Sequence, residues 1–309
     1  MYYIKKIVKG IFNIYIITTI SFFLISLIPG KPETVILGVD ASQDRINAFR
    51  KAFNLDLPVF KRYIIWLKKI AVGDFGVSLK SQIPVKDLVL EKLPLTILIT
   101  IISVIIIFLI SIPLAFMLNK IKNKGKMKKY NKLLALSISI PSFWLAILVI
   151  YVFSVLLKLG GLSYDDNIFS LIIPCCIIAV PKIGQITYNL KKNLYHETRQ
   201  EYIKYLYSNG MNMKYLNLYV LKNAILPVLP LIGLMVIDIL TGVVIIEQIF
   251  SIPGIGRLLL ISVYTRDIPL LQALIIYTSS AVVVINIIVD ILYGVLDKRI
   301  SMEDKKWKR

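Results

Sequence analysis

Asp238 is a carboxylate near the middle of an apolar run that extends from about Ile225 to Ile246. At the centre of a bilayer an ionised side chain costs about 2.5–3.5 kcal/mol even on the lenient insertion scale, so it must face a polar path or a polar partner rather than lipid. Two readings stay open for it: a residue that meets a positively charged cargo, or one end of a helix–helix hydrogen bond. Glu247, near the outer end of the same run, is either a second carboxylate on a translocation path or a cap on the Pro253-Gly254 turn. Asn286 and Asp290 stand one helical turn apart and read as an interhelical polar pair. Cys175 and Cys176 are adjacent, about 100° apart on a helix, so they cannot jointly ligate a metal and read as small apolar filler. His196 is the sole histidine and has no His or Cys nearby to complete a metal site. There is no Ser–His–Asp constellation and no G-x-x-x-x-G-K-[ST] phosphate loop. An integral-membrane enzyme would gather acids, bases or ligands at one depth, and on this reading only Asp238 stands mid-membrane. Neither cofactor chemistry nor ATP binding through a phosphate loop is expected.

The elements that carry these residues are set by hydropathy. A bilayer core takes about 20 mostly apolar residues per helix. Six runs qualify: Ile11–Ile28, Leu95–Leu118, Leu133–Leu157, Ile168–Ile186, Ile225–Ile246 and Leu271–Leu292, in a chain of 309 residues that is 57% hydrophobic. Lys120, Lys122, Lys124, Lys126, Lys128, Lys129 and Lys132 fall between the second and third runs with no acid among them. Short loops rich in Lys and Arg stay in the cytoplasm. With that loop inside, six spans also place inside the N-terminal Lys5, Lys6 and Lys9 and the tail Lys298, Arg299, Lys305, Lys306, Lys308 and Arg309. The Leu162–Asn167 loop, whose charges are Asp165 and Asp166, faces out. The expected fold is an all-α membrane protein of six transmembrane helices with both termini cytoplasmic, and the whole of 1–309 is read as a single transmembrane domain. The net charge of +19 needs no nucleic acid to account for it, since most of the excess lies in cytoplasmic loops, where anionic membrane lipid attracts it. Leu27-Ile28-Pro29-Gly30-Lys31 lacks a small-x-small cleavage pattern, so the first run reads as a retained anchor.

Two polar segments interrupt the apolar blocks. The extracytoplasmic one covers residues 31–94. Within it Ala41-Ser42-Gln43-Asp44 marks a helix start, and Val59 to Ile70 is amphipathic with Phe60, Tyr63, Ile64 and Leu67 on one side. A cap over the helix ends and a surface that touches substrate are both open readings. Gly73-Asp74-Phe75-Gly76 reads as a turn. The cytoplasmic segment covers residues 187–223. There Tyr202, Tyr205, Leu206 and Asn209 share one face of a short helix that Gly210 ends, and Pro227 falls in the first turns of the next span. Such a helix suits a groove on a soluble partner or a position flat on the inner leaflet.

Glu201-Tyr202-Ile203-Lys204-Tyr205-Leu206-Tyr207-Ser208-Asn209-Gly210, followed by Asn223-Ala224-Ile225-Leu226-Pro227, resembles the "EAA" loop of bacterial ABC importer permeases. More narrowly it resembles the first permease of dipeptide, oligopeptide and nickel importers. The likeness continues through Glu247-Gln248-Ile249-Phe250-Ser251-Ile252-Pro253-Gly254-Ile255-Gly256-Arg257, Arg266-Asp267-Ile268-Pro269 with Gln272, then Asn286, Asp290 and Asp297-Lys298-Arg299-Ile300. Upstream it takes in Leu55-Asp56-Leu57-Pro58, Gly73-Asp74-Phe75-Gly76-Val77-Ser78, Pro94-Leu95-Thr96 and Pro141-Ser142-Phe143-Trp144-Leu145. Leu206 and Ser208 stand where the family commonly has alanines, and Gly160 to Asp166 is a short outer loop.

The resemblance implies a type I ABC importer membrane fold and a transport subunit, not an enzyme. Its implied partners are a second homologous permease subunit, ATP-binding subunits and an extracytoplasmic solute-binding protein. It implies that Glu201, Tyr202, Tyr205, Leu206, Gly210 and Pro227 belong to the part that couples to the ATPase. Nickel-type relatives have an acidic residue at the place of Asp238, which tilts the expected cargo toward nickel or a metal chelate, with dipeptides or oligopeptides as the alternative. A channel or secondary transporter would instead show internal repeats or helices broken at matched positions, and neither is visible in the sequence.

Overall fold

Inside hydrocarbon each backbone N–H and C=O must be paired within the protein, so apolar runs of spanning length become helices whatever their side chains prefer. The computed structural model describes residues 2–27, 32–38, 40–158 and 160–296. The basic tail, the Asp297-Lys298-Arg299-Ile300 match and most of the Leu27-Ile28-Pro29-Gly30-Lys31 stretch lie outside the described residues.

The chain opens with α1 (Tyr2–Leu27), followed by the short α2 (Pro32–Leu37), α3 (Gln43–Ala52) and α4 (Val59–Ala71). Then come α5 (Val85–Asn119), α6 (Lys124–Ser139) and α7 (Ser142–Ile150), the last continued by a π-helical turn at Tyr151–Leu156. A 3₁₀ turn at Ile168–Leu171 leads into α8 (Ile172–Glu197), and α9 (Glu201–Ser208) and α10 (Met213–Ile225) follow. A 3₁₀ turn at Leu226–Val228 joins α10 to α11 (Leu229–Ile249), and α12 (Ile255–Tyr264) and α13 (Ile268–Leu296) complete the described elements. Among the described residues five helices are long and apolar enough to cross a membrane, and six spans result if one bent pair is counted as a span.

That pair is the expected third span. It is not one straight helix from Leu133 to Leu157: α6 and its continuation from Ser142 to Leu156 meet at 88°. Ile140 is extended (φ −83°, ψ 119°) and Pro141 follows it, because the proline ring disfavours helical geometry in the preceding residue. Two other boundaries moved. The fourth span does not stop at Ile186: α8 runs on to Glu197, so the cytoplasmic loop expected at 187–223 is helical along most of its length. Pro227 does not start a new helix but sits in a 3₁₀ turn that keeps Met213–Ile249 a continuous apolar helical stretch. The absent N–H of proline removes one i→i−4 bond, and tightening to 3₁₀ accommodates the loss.

The chain packs as two compact units. The first comprises residues 1–96 and 253–284. Its core is Val85, Ile255, Leu258, Leu270, Ala273 and Leu274, with Phe75, Leu88 and Tyr277 packed against them. In this unit α4 lies against α1 through Tyr63, which hydrogen-bonds Thr19 at 2.9 Å and stacks edge-on with Phe22. Trp66 joins the same cluster, whereas Phe60, assigned to the packed face by periodicity, is 65% exposed. The second unit comprises residues 97–252 and 285–309. Here α8 is the central helix, with α6, α7, α10 and α11 packed on it. Gly184 makes the α6–α8 approach possible: a Cβ there would stand 2.1 Å from the Ser137 hydroxyl and 3.1 Å from the Leu134 carbonyl.

Candidate functional site

Helix α9 is built by its two flanks. At its C-terminus Gly210 has φ +77°. Its N–H donates to the Tyr207 carbonyl at 3.0 Å and the Met211 N–H donates to Leu206 at 3.1 Å. This crossed pair of bonds is a Schellman ending, which requires a left-handed residue that glycine adopts without strain. At its N-terminus Glu201 places a negative charge in the first turn, where the helix dipole favours it.

The attitude of α9 toward its neighbours is set by three side chains from three helices. Asn223 of α10 donates to the Glu197 carboxylate of α8 at 3.0 Å and to the Tyr202 hydroxyl of α9 at 2.7 Å. Tyr202 in turn donates to Glu197 through a close contact. A second strap, Asn193 Nδ2 to the Ala224 carbonyl at 3.2 Å, ties α8 to α10.

The faces of α9 differ from the expected grouping. Ile203 is the buried anchor and Leu206 is half-buried, while Tyr205 and Tyr207 are 67% and 62% exposed. Leu206 thus helps hold the helix to the protein, and the two tyrosines stay exposed on different sides of the helix. Glu197 and Ile203 were not singled out by the sequence. A Glu–Tyr spacing of five residues fits no helical repeat, and an isoleucine beside polar neighbours carries no signal of its own.

Asp238 lies near the middle of α11 and accepts a hydrogen bond from Lys182 Nζ at 2.8 Å. Lys182 was missed because α8 was expected to end at Ile186, which would have placed it at the inner edge; in the longer helix it stands at mid-span. The premise of a lone mid-membrane charge is therefore corrected to an ion pair, with side-chain exposures of 21% for Lys182 and 58% for Asp238. Glu247 is fully buried, and its carbonyl accepts from Ile252 N–H at 2.8 Å across the end of α11. In the same unit the short outer loop is tied down by Tyr164 N–H to the Phe250 carbonyl at 2.8 Å. Burial, then the charges of Asp166 and Asp165, push the Tyr164 phenol above its ordinary range.

Two further constellations, both in the first unit, join stretches that the sequence shows only as separate matches. Asp267, itself buried, accepts from Ser78 Oγ at 2.5 Å and from the backbone N–H groups of Leu79 (3.1 Å), Lys80 (3.3 Å) and Leu270 (3.4 Å). Thr96 Oγ1 accepts from Ile255 N–H at 2.8 Å at the start of α12. Cys175 is buried and Cys176 exposed, both as free thiols, and His196 is exposed with its ring edge-on to Tyr195. Among the described residues no group of three His, Cys, Asp or Glu side chains converges as a metal site would.

Comparison with known proteins accords with this arrangement. Residues 111–302 match the model of the binding-protein-dependent transport system inner membrane component, and residues 1–100 match the N-terminal model of the same systems' membrane component. The chain is 32% identical to the oligopeptide transport system permease protein AppB of Bacillus subtilis, over 97% of this chain and 99% of that one. It is 31% identical to a putative peptide transport system permease of Brucella abortus, covering 97% and 98%. To the nickel import system permease protein NikB of Staphylococcus aureus it is 30% identical, covering 98% and 93%. These relatives are transport subunits and not enzymes. With spanning helices throughout and matches along nearly its whole length, the chain belongs to the inner-membrane permease family of binding-protein-dependent ABC importers.

Proposed function

We propose that the chain works with a second homologous permease subunit, that ATP-binding subunits engage α9, and that an extracytoplasmic binding protein delivers a small peptide as cargo. The observation that carries the cargo reading is the Lys182–Asp238 pair, with opposite charges 2.8 Å apart at mid-span. A naked cation passing Asp238 meets a carboxylate already neutralised by an ammonium. A peptide carries both an ammonium and a carboxylate, and can exchange one ion pair for two. Charges at that depth must face a polar path or a partner, and the exposure of Asp238 leaves it open to one. The AppB likeness supports the same reading.

A second reading has its own support. The nickel permease NikB matches over the same length, and the resemblance to nickel-type permeases implies an acidic residue at the place of Asp238. On this reading Asp238 releases Lys182 and faces a metal cation.

In both readings α9 carries the ATPase stroke, through Tyr205 and Tyr207 as contact residues and through the Glu197–Tyr202–Asn223 triangle as attachment. Rigid-body rocking of the helices then alternates access. The two cargo readings separate on Lys182→Gln and Asp238→Asn, assayed for uptake of labelled dipeptide and labelled nickel in cells. The peptide reading expects both variants to assemble and both to lose most peptide uptake. Loss of nickel uptake in Asp238→Asn alone, with peptide uptake absent in every strain, overturns it in favour of the metal.

A further inference from the structure

The second unit contains a cavity of about 1220 Å³ on the cytoplasmic side, lined from two stretches of chain that are distant in sequence. Lys120 and Lys122 enter it from the turn between α5 and α6, and Lys124 from the first residue of α6. Lys128 and Lys132 line it from α6. Opposite them stand Lys191 and Lys192 of α8 and Arg199 just beyond it. Among the described residues, none that lines the cavity is acidic. The inside-positive bias requires lysines somewhere in the loop, but it does not require cations from a second helix to converge on the same space. Like charges gathered around one cavity repel, and an anion between them relieves the repulsion.

Two of these cations are held in place. Lys191 Nζ donates to Asn131 Oδ1 at 2.6 Å and lies 5.3 Å from the centre of the Tyr188 ring. The Arg199 guanidinium lies 3.7 Å from the centre of the Tyr195 ring. Side chains fixed in advance give up less freedom when a ligand arrives. The cavity is amphipathic as well: Leu118, Ile121 and Ala135 line it beside the cations, at the inner end of the apolar α5.

From this we infer that the α6–α8 cavity is a binding site for the headgroup of an anionic phospholipid, its phosphate among the lysines and its glycerol and upper acyl chains against Leu118, Ile121 and Ala135. Basic pockets between helices at the cytoplasmic interface are suited to such headgroups. A free phosphate shares the charge but leaves the apolar wall uncovered, so the observations favour the lipid.

The test uses the full chain in its importer complex, titrated in detergent with dioleoyl phosphatidylglycerol, bound lipid being counted by native mass spectrometry. Lys128→Gln with Lys132→Gln removes two cavity charges. Lys126→Gln with Lys129→Gln removes two charges from the same stretch that do not line the cavity. At the usual contribution of a basic residue near anionic lipid, the first pair weakens binding about 30-fold and the second less than about 3-fold. Lys128→Arg with Lys132→Arg keeps binding. Should the Gln pair fail to assemble, Lys192→Gln carries the same test with about a 5-fold loss. Equal losses in the two Gln pairs would reduce the cavity to diffuse surface charge. An unchanged affinity, or failure of the Arg pair to bind, overturns the site, and displacement of the lipid by excess inorganic phosphate assigns it to free phosphate instead.

Discussion

Replacing Asp267 by Ala removes the acceptor that ties residues 78–80 to the start of α13. Three backbone N–H groups and one hydroxyl donate to this carboxylate, which is 1% exposed. A hydrogen bond to a charged group contributes about 1.5–3 kcal/mol, and a buried donor left unmade costs about 1–3 kcal/mol. Local opening of the loop frees the Leu79 and Lys80 donors together. Asp267→Ala is therefore expected to lower the opening free energy by about 3–5 kcal/mol, less whatever water recovers. Hydrogen exchange read by mass spectrometry checks this directly: the Leu79 and Lys80 amides should exchange at least about 100-fold faster, while α4 keeps its protection. Asp267→Asn retains one acceptor oxygen but turns an amide toward donors, so it should fall between the two. Unchanged exchange at Leu79 and Lys80 in Asp267→Ala, or a loss spread equally over α4, would refute the reasoning.

Gly210→Val forces a β-branched residue to φ +77° with nothing near its Cβ to clash. The cost is backbone strain of at least about 1–2 kcal/mol, and the variant should reach the membrane at normal abundance and hydrolyse ATP without uptake; normal transport would count against α9 as the coupling element. Gly184→Ala drives a methyl against the Ser137 hydroxyl and the Leu134 carbonyl. It should destabilise the α6–α8 packing by about 1–3 kcal/mol, seen as earlier thermal aggregation, and an unaltered melting profile would argue against that close approach. A cysteine at Asn167 should react with an impermeant thiol reagent added outside and one at Lys126 should not, reversed labelling being incompatible with the topology.

The spans were legible because lipid imposes one requirement, a long apolar segment with its backbone paired, and hydropathy reports that requirement directly. Helix ends were less so. Lys191 and Lys192 made the inner end of α8 look like loop, although the i→i−4 bonds continue through polar residues as readily as apolar ones once the helix is under way. The 88° break at Ile140–Pro141 was hidden inside a run of uniform hydropathy, where a single proline kinks, caps or breaks a helix according to what packs around it. The helix α9 itself was legible at Tyr202, Tyr205 and Gly210 through helical spacing and a stop signal. The partners that fix them, Glu197 and Asn223, come from other helices and leave no periodicity. The Ser78–Asp267 tether spans 189 residues and the Lys182–Asp238 pair 56. Pairings at such separation belong to tertiary structure and were out of reach of one sequence.

The role proposed for this chain is the membrane path of an ATP-driven importer, with small peptides as its cargo. Uptake of labelled dipeptides, oligopeptides and nickel by cells lacking the gene, with and without the gene returned on a plasmid, tests it most directly. The account predicts that energy-dependent peptide uptake falls to background in the deletion and returns with the wild-type chain but not with Gly210→Val. Undiminished peptide uptake in the deletion, in cells that contain no second copy of this importer, would contradict it.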